Sequence, residues 1–337
     1  MKNASELINR ILAAKKCGDL FESDATKVKT AYRLYAKQIH PDVCSDSRAA
    51  SAMEWLTALK IRAEECISLG IWEATNIDWI VSVDHRRFSI KYLWHDAFEL
   101  GERYICRTAV VYILNPNAKK YYMNYLDRVA HLHYANSEMK QQMERLVPQI
   151  VSHFELNDGR YAIILRKTED VLPLDLFLKK YDHDLDPRHC AWIISRLCGL
   201  ACFLSYNSLS HNGISLSNLF VSPKYHSILL LGGWWYAVST EEKMIGTTKD
   251  VFETMPYTVK TDKLGSCVTD LESIKAIGRK IGKNASFPDK MNDWVESGSS
   301  HDAVREFQRW DECLSRAFGT RKFVNFDVDY QHFYENI

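Results

Sequence analysis

Apolar positions recur at helical spacing in three places near the start of the chain. Leu7, Ile8, Ile11 and Leu12 share one face of a segment over residues 4–20, which Gly18 closes. Asp24 stands where an N-cap belongs, ahead of Ala25–Ile39 with its apolar side of Val28, Ala31, Tyr32 and Tyr35. Ala50, Met53, Leu56, Leu59, Ala63 and Cys66 mark a third helix over about 47–69. Residues 72–86 then connect, with Trp72 and Trp79 as packing residues, and the period changes. Phe88–Tyr92 alternates, and Tyr104–Leu114 is rich in β-branched and aromatic residues, so both read as strands. Lys119 and Lys120 read as a turn after Pro116, and 137–151 as a helix. Tyr161–Leu165 is a buried strand, and Leu172–Lys180 begins the next block. The longest apolar helix is 188–204, with Trp192, Ile193, Leu197, Leu200, Ala201 and Leu204 at spacings of three and four. A polar loop, His211–Val221, follows. A turn at Ser222-Pro223-Lys224 leads into a buried run, Ser227–Val238, and Val268–Gly278 is again helical. The pattern predicts an α+β chain, all-helical at first and mixed afterwards.

Charge changes the picture at one place. The second helix carries Lys27, Lys29, Arg33 and Lys37, and no acid occurs between Ala25 and Asp42. It ends at His40-Pro41-Asp42-Val43, where Pro41 cannot continue a helix and biases His40 out of the helical region. Elsewhere composition is ordinary, with 46% hydrophobic and 26% charged residues, and formal net charge is zero over 337 residues. No global field therefore draws in nucleic acid or anionic lipid. The longest apolar runs fall short of the roughly 18 residues a membrane span needs, and the opening residues do not read as a signal peptide. Nine scattered cysteines without a C-x-x-C suggest free thiols in a reducing, cytoplasmic compartment. Cys198 and Cys202, one helical turn apart, read as small core residues, with metal binding as the alternative.

Over residues 3–70, the basic helix with Tyr32-Arg33-Leu34, then His40-Pro41-Asp42, then a matching helix, resembles the J-domain of DnaJ-type co-chaperones. Val43 departs from it, since many J-domains have lysine there, and the opening helix lacks the common Tyr-Tyr start. The resemblance implies that His40, Pro41 and Asp42 dock on a DnaK-type chaperone and trigger its ATP hydrolysis. Lys27, Lys29, Arg33 and Lys37 would then steer the encounter. Nucleic-acid binding is the alternative for the basic face, and the small patch without stacking aromatics speaks against it.

From about residue 88 onward the chain resembles a protein kinase. The helix 188–204 leads to His211 and Asn218, seven residues apart as in H-x-D-x-x-x-x-N, and Trp234 sits where the Phe of D-F-G stands. The chemistry is missing: Gly213 replaces the catalytic Asp and Gly233 the magnesium-binding Asp. Tyr112 aligns with the phosphate-pairing lysine. The stretch Trp94–Gly101, where a glycine-rich phosphate loop belongs, has one glycine. Glu138 and Glu144 are the candidates for the helix glutamate, and without the lysine both read as surface residues. Asn218 is either a weak magnesium ligand or a bond to loop backbone. Residues 241–259 correspond to an activation segment, with Met255-Pro256 near the A-P-E position and Thr258 in place of the Glu. Asp270 would cap its helix and bond loop backbone, and Cys313, Leu314 and Arg321 match the end of a kinase.

The organisation expected is a J-domain over 1–71, a connector over 72–87 and a bilobal kinase-like domain over 88–337, with a small lobe to about 166 and a large lobe from 167. Bacterial and phage J-domain proteins with kinase-like bodies are similar in this layout. The resemblance implies a co-chaperone or adaptor, not an enzyme, whose body binds a client. It implies no cofactor, metal, membrane or nucleic acid. A nucleotide-sensing pseudokinase and a divergent kinase-fold enzyme are the other readings.

Overall fold

The computed structural model describes residues 2–14, 16–68, 72, 76–181, 185–283, 285–320, 322, 324–330 and 332–335. Leu69 and Arg321 lie outside them. The chain forms two compact units, Met1–Ile77 and Asp78–Ile337.

The first unit is helical: α1 (Lys2–Ala13), α2 (Ala25–Ile39) and α3 (Ala49–Ser68). Asp24 caps α2 as its position suggests, its carboxylate accepting from the N–H groups of Thr26 at 2.9 Å and Lys27 at 2.8 Å. Leu7, Ile8, Ile11, Val28, Ile39, Leu56, Leu59 and Ala63 share one core. Two expected core positions turn outward. Leu12 is 40% exposed, and Ala50 is exposed while Ala49 and Ala52 are buried. At the start of α3 the buried face therefore falls on Ala49 and Ala52 instead of Ala50, while Leu56, Leu59, Ala63 and Cys66 hold the expected stripe. α1 stops at Ala13, and a separate 3-10 turn holds Cys17–Asp19, so one helix to residue 20 is not formed.

The second unit is α+β. Its sheet runs β1 (Ile77–Val81), β2 (Arg87–Phe98), β3 (Gly101–Cys106), β4 (Ala109–Leu114), then, beyond α4 (Lys119–Ala130) and α5 (Ser137–Met143), β5 (Ile150–Glu155) and β6 (Tyr161–Arg166). The spatial order is β1-β2-β3-β4-β6-β5. An antiparallel bridge between Ser82 and Leu156 joins the ends of the two edge strands, so the sheet curls on itself. Three expectations change here. β1 falls within the expected connector. The stretch 94–101 is no open loop, because β2 continues to Phe98 and turns at Glu99-Leu100 into β3. Gly101 is required there, since a Cβ would lie 2.0 Å from the Ile113 carbonyl oxygen. The long helix on this sheet is α4, not 137–151. Pro116 opens a 3-10 turn that α4 continues, whereas α5 is short and alternation over 150–155 makes a strand.

The remaining chain packs helices below this sheet. β7 (Leu172–Pro173) and α6 (Leu174–Tyr181) lead to α7 (Pro187–Tyr206), capped by Asp186 at 2.7 Å from the Arg188 N–H. By length and composition α7 is the one helix among the described residues that could cross a membrane, and 61% of that apolar stretch is buried inside the fold. After β8 (Leu209–Ser210) come β9 (Leu219–Ser222), β10 (Ser227–Leu230) and β11 (Val238–Ser239), then α8 (Lys249–Thr254), α9 (Tyr257–Asp262), α10 (Cys267–Gly282), α11 (Asp289–Glu296) and α12 (Ala303–Phe318). β10 ends at Leu230, well short of the expected Val238, because Gly232-Gly233 turn the chain and Gly233 takes φ +81°.

Candidate functional site

The loop between β8 and β9 is built on one buried carboxylate. Asp270, one turn inside α10, accepts from the N–H groups of His211 at 2.8 Å and Asn212 at 3.0 Å. Burial pushes its pKa up to about 7, and the two N–H bonds offset part of that rise. The expected backbone bond to the loop is present, but the expected cap is not. Ser266 caps α10, its hydroxyl accepting from the Val268 N–H. Thr247 Oγ1 donates to the Asn212 carbonyl at 2.6 Å and ties the next segment to the same loop.

His211, Gly213, Asn218, Gly232 and Gly233 come together around this loop. Asn218 Nδ2 donates to the Gly213 carbonyl at 2.9 Å, and the Asn218 carbonyl accepts from Leu231 at 3.2 Å and Gly232 at 3.1 Å. The amide thus bonds loop backbone. His211 is fully buried, and burial drives its pKa down to about 3, with the nearby Gly232 backbone opposing slightly. Its ring meets Trp234 edge-to-face at 5.0 Å. The missing carboxylates are also missing space. A Cβ on Gly233 would lie 2.6 Å from His211 Cε1, and one on Gly232 would lie 2.3 Å from Asn218 Oδ1. A Cβ on Gly213 would meet the Gly233 Cα at 3.2 Å. Among the described residues no group of three or more His, Cys, Asp or Glu side chains is placed to hold a metal.

Tyr112, on β4, is buried beside this cluster with its hydroxyl unpartnered, and burial holds that hydroxyl well above the usual phenol range. The ring that fills the space next to it is Trp235. Its indole stacks on Phe98 of β2 at 5.0 Å and on Tyr125 of α4 at 5.6 Å, and meets Tyr112 edge-on at 5.1 Å. Trp234 instead turns away toward His211, its Nε1 donating to the Leu230 carbonyl at 2.8 Å. α4 fixes this segment through Asn124, whose Nδ2 donates to the Ala237 carbonyl at 2.9 Å, and through Tyr125, whose hydroxyl donates to the Leu231 carbonyl at 2.7 Å. The tip of the β2–β3 turn is tied down as well, Tyr236 donating to Glu99 at 2.8 Å.

Arg103 closes the other side. It is 4% exposed and pairs with Asp96 at 2.6 Å and Asp175 at 2.9 Å. Its guanidinium also donates to the Ser217 carbonyl, next to Asn218. Burial alone would lower the Arg103 pKa, but the two carboxylates more than reverse it and hold the charge. β3 and the 211–218 loop are thereby joined through an ionic cluster, where an open cleft would leave both to solvent. Glu138 is exposed and Glu144 half-buried, on or next to α5.

In the N-terminal unit, Lys27, Lys29, Arg33 and Lys37 are all exposed on α2, and so are His40, Pro41 and Asp42 just beyond it. Lys29, Arg33 and Lys37 recur every four residues, making one stripe that ends beside the loop. Lys27 lies off that stripe and pairs with Glu22 at 2.6 Å, which spends its charge locally. The Asp42 N–H donates to His40 Nδ1 at 3.3 Å, and the Asp42 carboxylate is 3.4 Å from the same nitrogen. The loop is thus locally folded with its polar groups outward. Leu34 and Val43 are exposed apolar neighbours at 56% and 76%.

A solved structure, that of vaccinia related kinase 3, is similar to this chain at 13% identity and a TM-score of 0.48, with 71% of this chain and 91% of that chain covered. No protein-family model matches the sequence. No curated protein matches it.

Proposed function

We propose that this chain is a J-domain co-chaperone or adaptor with a kinase-like body that performs no phosphotransfer. The observation that carries the proposal is the exposed His40-Pro41-Asp42 loop at the end of the Lys29, Arg33, Lys37 stripe. A cationic stripe beside exposed polar groups suits docking on an acidic partner, where complementary charge speeds encounter and sets register. A DnaK-type chaperone is the partner that the sequence resemblance implies.

The closed cleft supports the second half of the proposal. Phosphoryl transfer requires magnesium, a phosphate-pairing lysine and an oriented nucleophile. The corresponding positions are Gly233, Tyr112 and Gly213, and Trp235 and Arg103 fill the space beside them. The body's remaining role is to bind a client or assembly partner. The test is single-turnover ATP hydrolysis by a DnaK-type chaperone with and without the full chain. Stimulation that His40→Gln removes, with circular dichroism unchanged, is expected. Equal stimulation by the variant, or none by the natural chain, overturns the co-chaperone reading.

A further inference from the structure

α7 and α12 leave a cleft of about 300 Å³ between them that shares no residue with the filled site around Gly233. Its floor is apolar. Phe307, Leu314 and Phe318 recur at intervals of seven and four along α12, so they line one face of that helix, and all three are half-buried. Ala191 and Trp192 of α7 face them across the cleft. Trp192 lies flat on His226, with ring centroids 4.7 Å apart and planes 3° from parallel, which fixes its rotamer.

The rim is cationic. Arg188, Arg196 and Lys322 line it against Asp311. Arg188 is partly offset by Asp186 at 3.2 Å, and its guanidinium lies 5.5 Å over the Phe318 ring. Arg196 Nε donates to the His226 carbonyl at 2.8 Å, which sets its guanidinium at the cleft wall. In a chain of zero net charge, this patch keeps an excess of cations beside half-buried aromatic surface. Guanidinium groups match carboxylates in fork geometry, and a volume at the lower limit of ligand pockets holds one anchor group.

We infer that this cleft docks an acidic peptide segment, one bulky apolar side chain seated between Trp192 and Phe318 and flanking carboxylates on Arg196 and Lys322. The inference goes beyond the co-chaperone reading and stands without it, because the cleft belongs wholly to the C-terminal unit.

The test uses the full chain and short fluorescein-labelled peptides carrying one central Trp, Phe or Leu among Asp and Glu residues. Controls replace the central residue by Ser or the acids by Lys, and binding is read by fluorescence anisotropy. The acidic apolar peptides should bind, and each control should bind about tenfold more weakly or worse. The double variant Arg196→Glu with Lys322→Glu, at exposed positions, should weaken the acidic peptides by a similar factor and leave circular dichroism unchanged. Leu314→Gln should weaken them independently of charge. No binding, equal binding of the Lys-substituted peptides, or binding indifferent to the variants overturns the inference. Competition by free N-acetylphenylalanine as strong as by the peptides assigns the cleft to small acids instead and also overturns it. Stimulation of a DnaK-type ATPase should be unaffected by these variants, so the two readings fail separately.

Discussion

Phe98 and Trp235 stack across the body of the protein, ring centroids 5.0 Å apart and planes at 27°. One comes from strand β2 and the other from the turn after Gly233, so the contact fills the space between the curled sheet and the 211–218 loop. Each such aromatic pair contributes about 0.5–1.5 kcal/mol beyond burial, and Trp235 makes four of them.

The filled space fixes the response to nucleotide. Calorimetry with Mg-ATP should show no affinity tighter than about millimolar, roughly −4 kcal/mol. Trp235→Ala should lower stability by about 3–5 kcal/mol, as truncation of a large buried aromatic does. It should not create magnesium-dependent binding, because the carboxylates near Tyr112 are already engaged, Asp96 and Asp175 by Arg103 and Glu99 by Tyr236. A magnesium-dependent micromolar constant in either protein would contradict the closed site.

Placing an acid at the Gly233 turn should harm the fold. At Gly233, φ +81° strains any side chain and a Cβ comes within 2.6 Å of the His211 ring. Gly233→Asp should therefore cost about 3 kcal/mol or more, from backbone strain and overpacking together. Thermal unfolding checks this. A variant as stable as the natural protein would show that the loop repacks freely.

The buried His211 and Asp270 should give opposite pH slopes. His211 has its pKa depressed to about 3 from 6.5, so it contributes stability above pH 6.5 that is lost as pH falls toward 3. Asp270 has its pKa raised to about 7 from 3.8, so it contributes stability below pH 3.8 that is lost as pH rises toward 7. Between these limits each slope is at most about 1.4 kcal/mol per pH unit, and the two oppose. Relative to the natural protein, His211→Leu should become less stable as pH rises from about 4 to 6.5, and Asp270→Asn more stable. Urea unfolding at several pH values measures both. Parallel shifts with no change of slope would mean that neither group titrates across the folding reaction.

Salt should slow docking through α2. Lys29, Arg33 and Lys37 are exposed, and exposed charges are screened over about 8–10 Å near physiological ionic strength. The on-rate for a DnaK-type chaperone should fall with added salt, and Lys29→Glu with Arg33→Glu should lower it more than they raise the off-rate. Lys27→Ala should matter less, since Glu22 already pairs with that charge. Stopped-flow association rates carry the test.

Local signals in the sequence were legible where one residue type serves one purpose. Asp24 before α2 and the apolar stripe of α7 are of that kind, and so is the loop from His211 to Asn218. α4 does not announce itself, because Lys119-Lys120 after Pro116 reads as a turn, although Tyr122 and Tyr125 lie at helical spacing. β2 reads short because the glycine-poor run 94–101 aligns with a loop, whereas its continuation is set by pairing with β3. Of the two adjacent tryptophans, only tertiary packing decides which one fills the cleft. Arg103 carried no signal at all. Its partners stand 7, 72 and 114 residues away, and nothing local marks an arginine in a strand as buried.

The Arg103 cluster has a further consequence for motion. A guanidinium stays protonated at any pH the fold survives, so the tie from β3 to Asp175 and the Ser217 carbonyl is not released by titration of the arginine. Together with the Phe98–Trp235 stack, it ties the curled sheet to the helices below it. Hydrogen exchange at Val110–Ile113 and at Leu219–Leu230 should accordingly proceed through the same global opening.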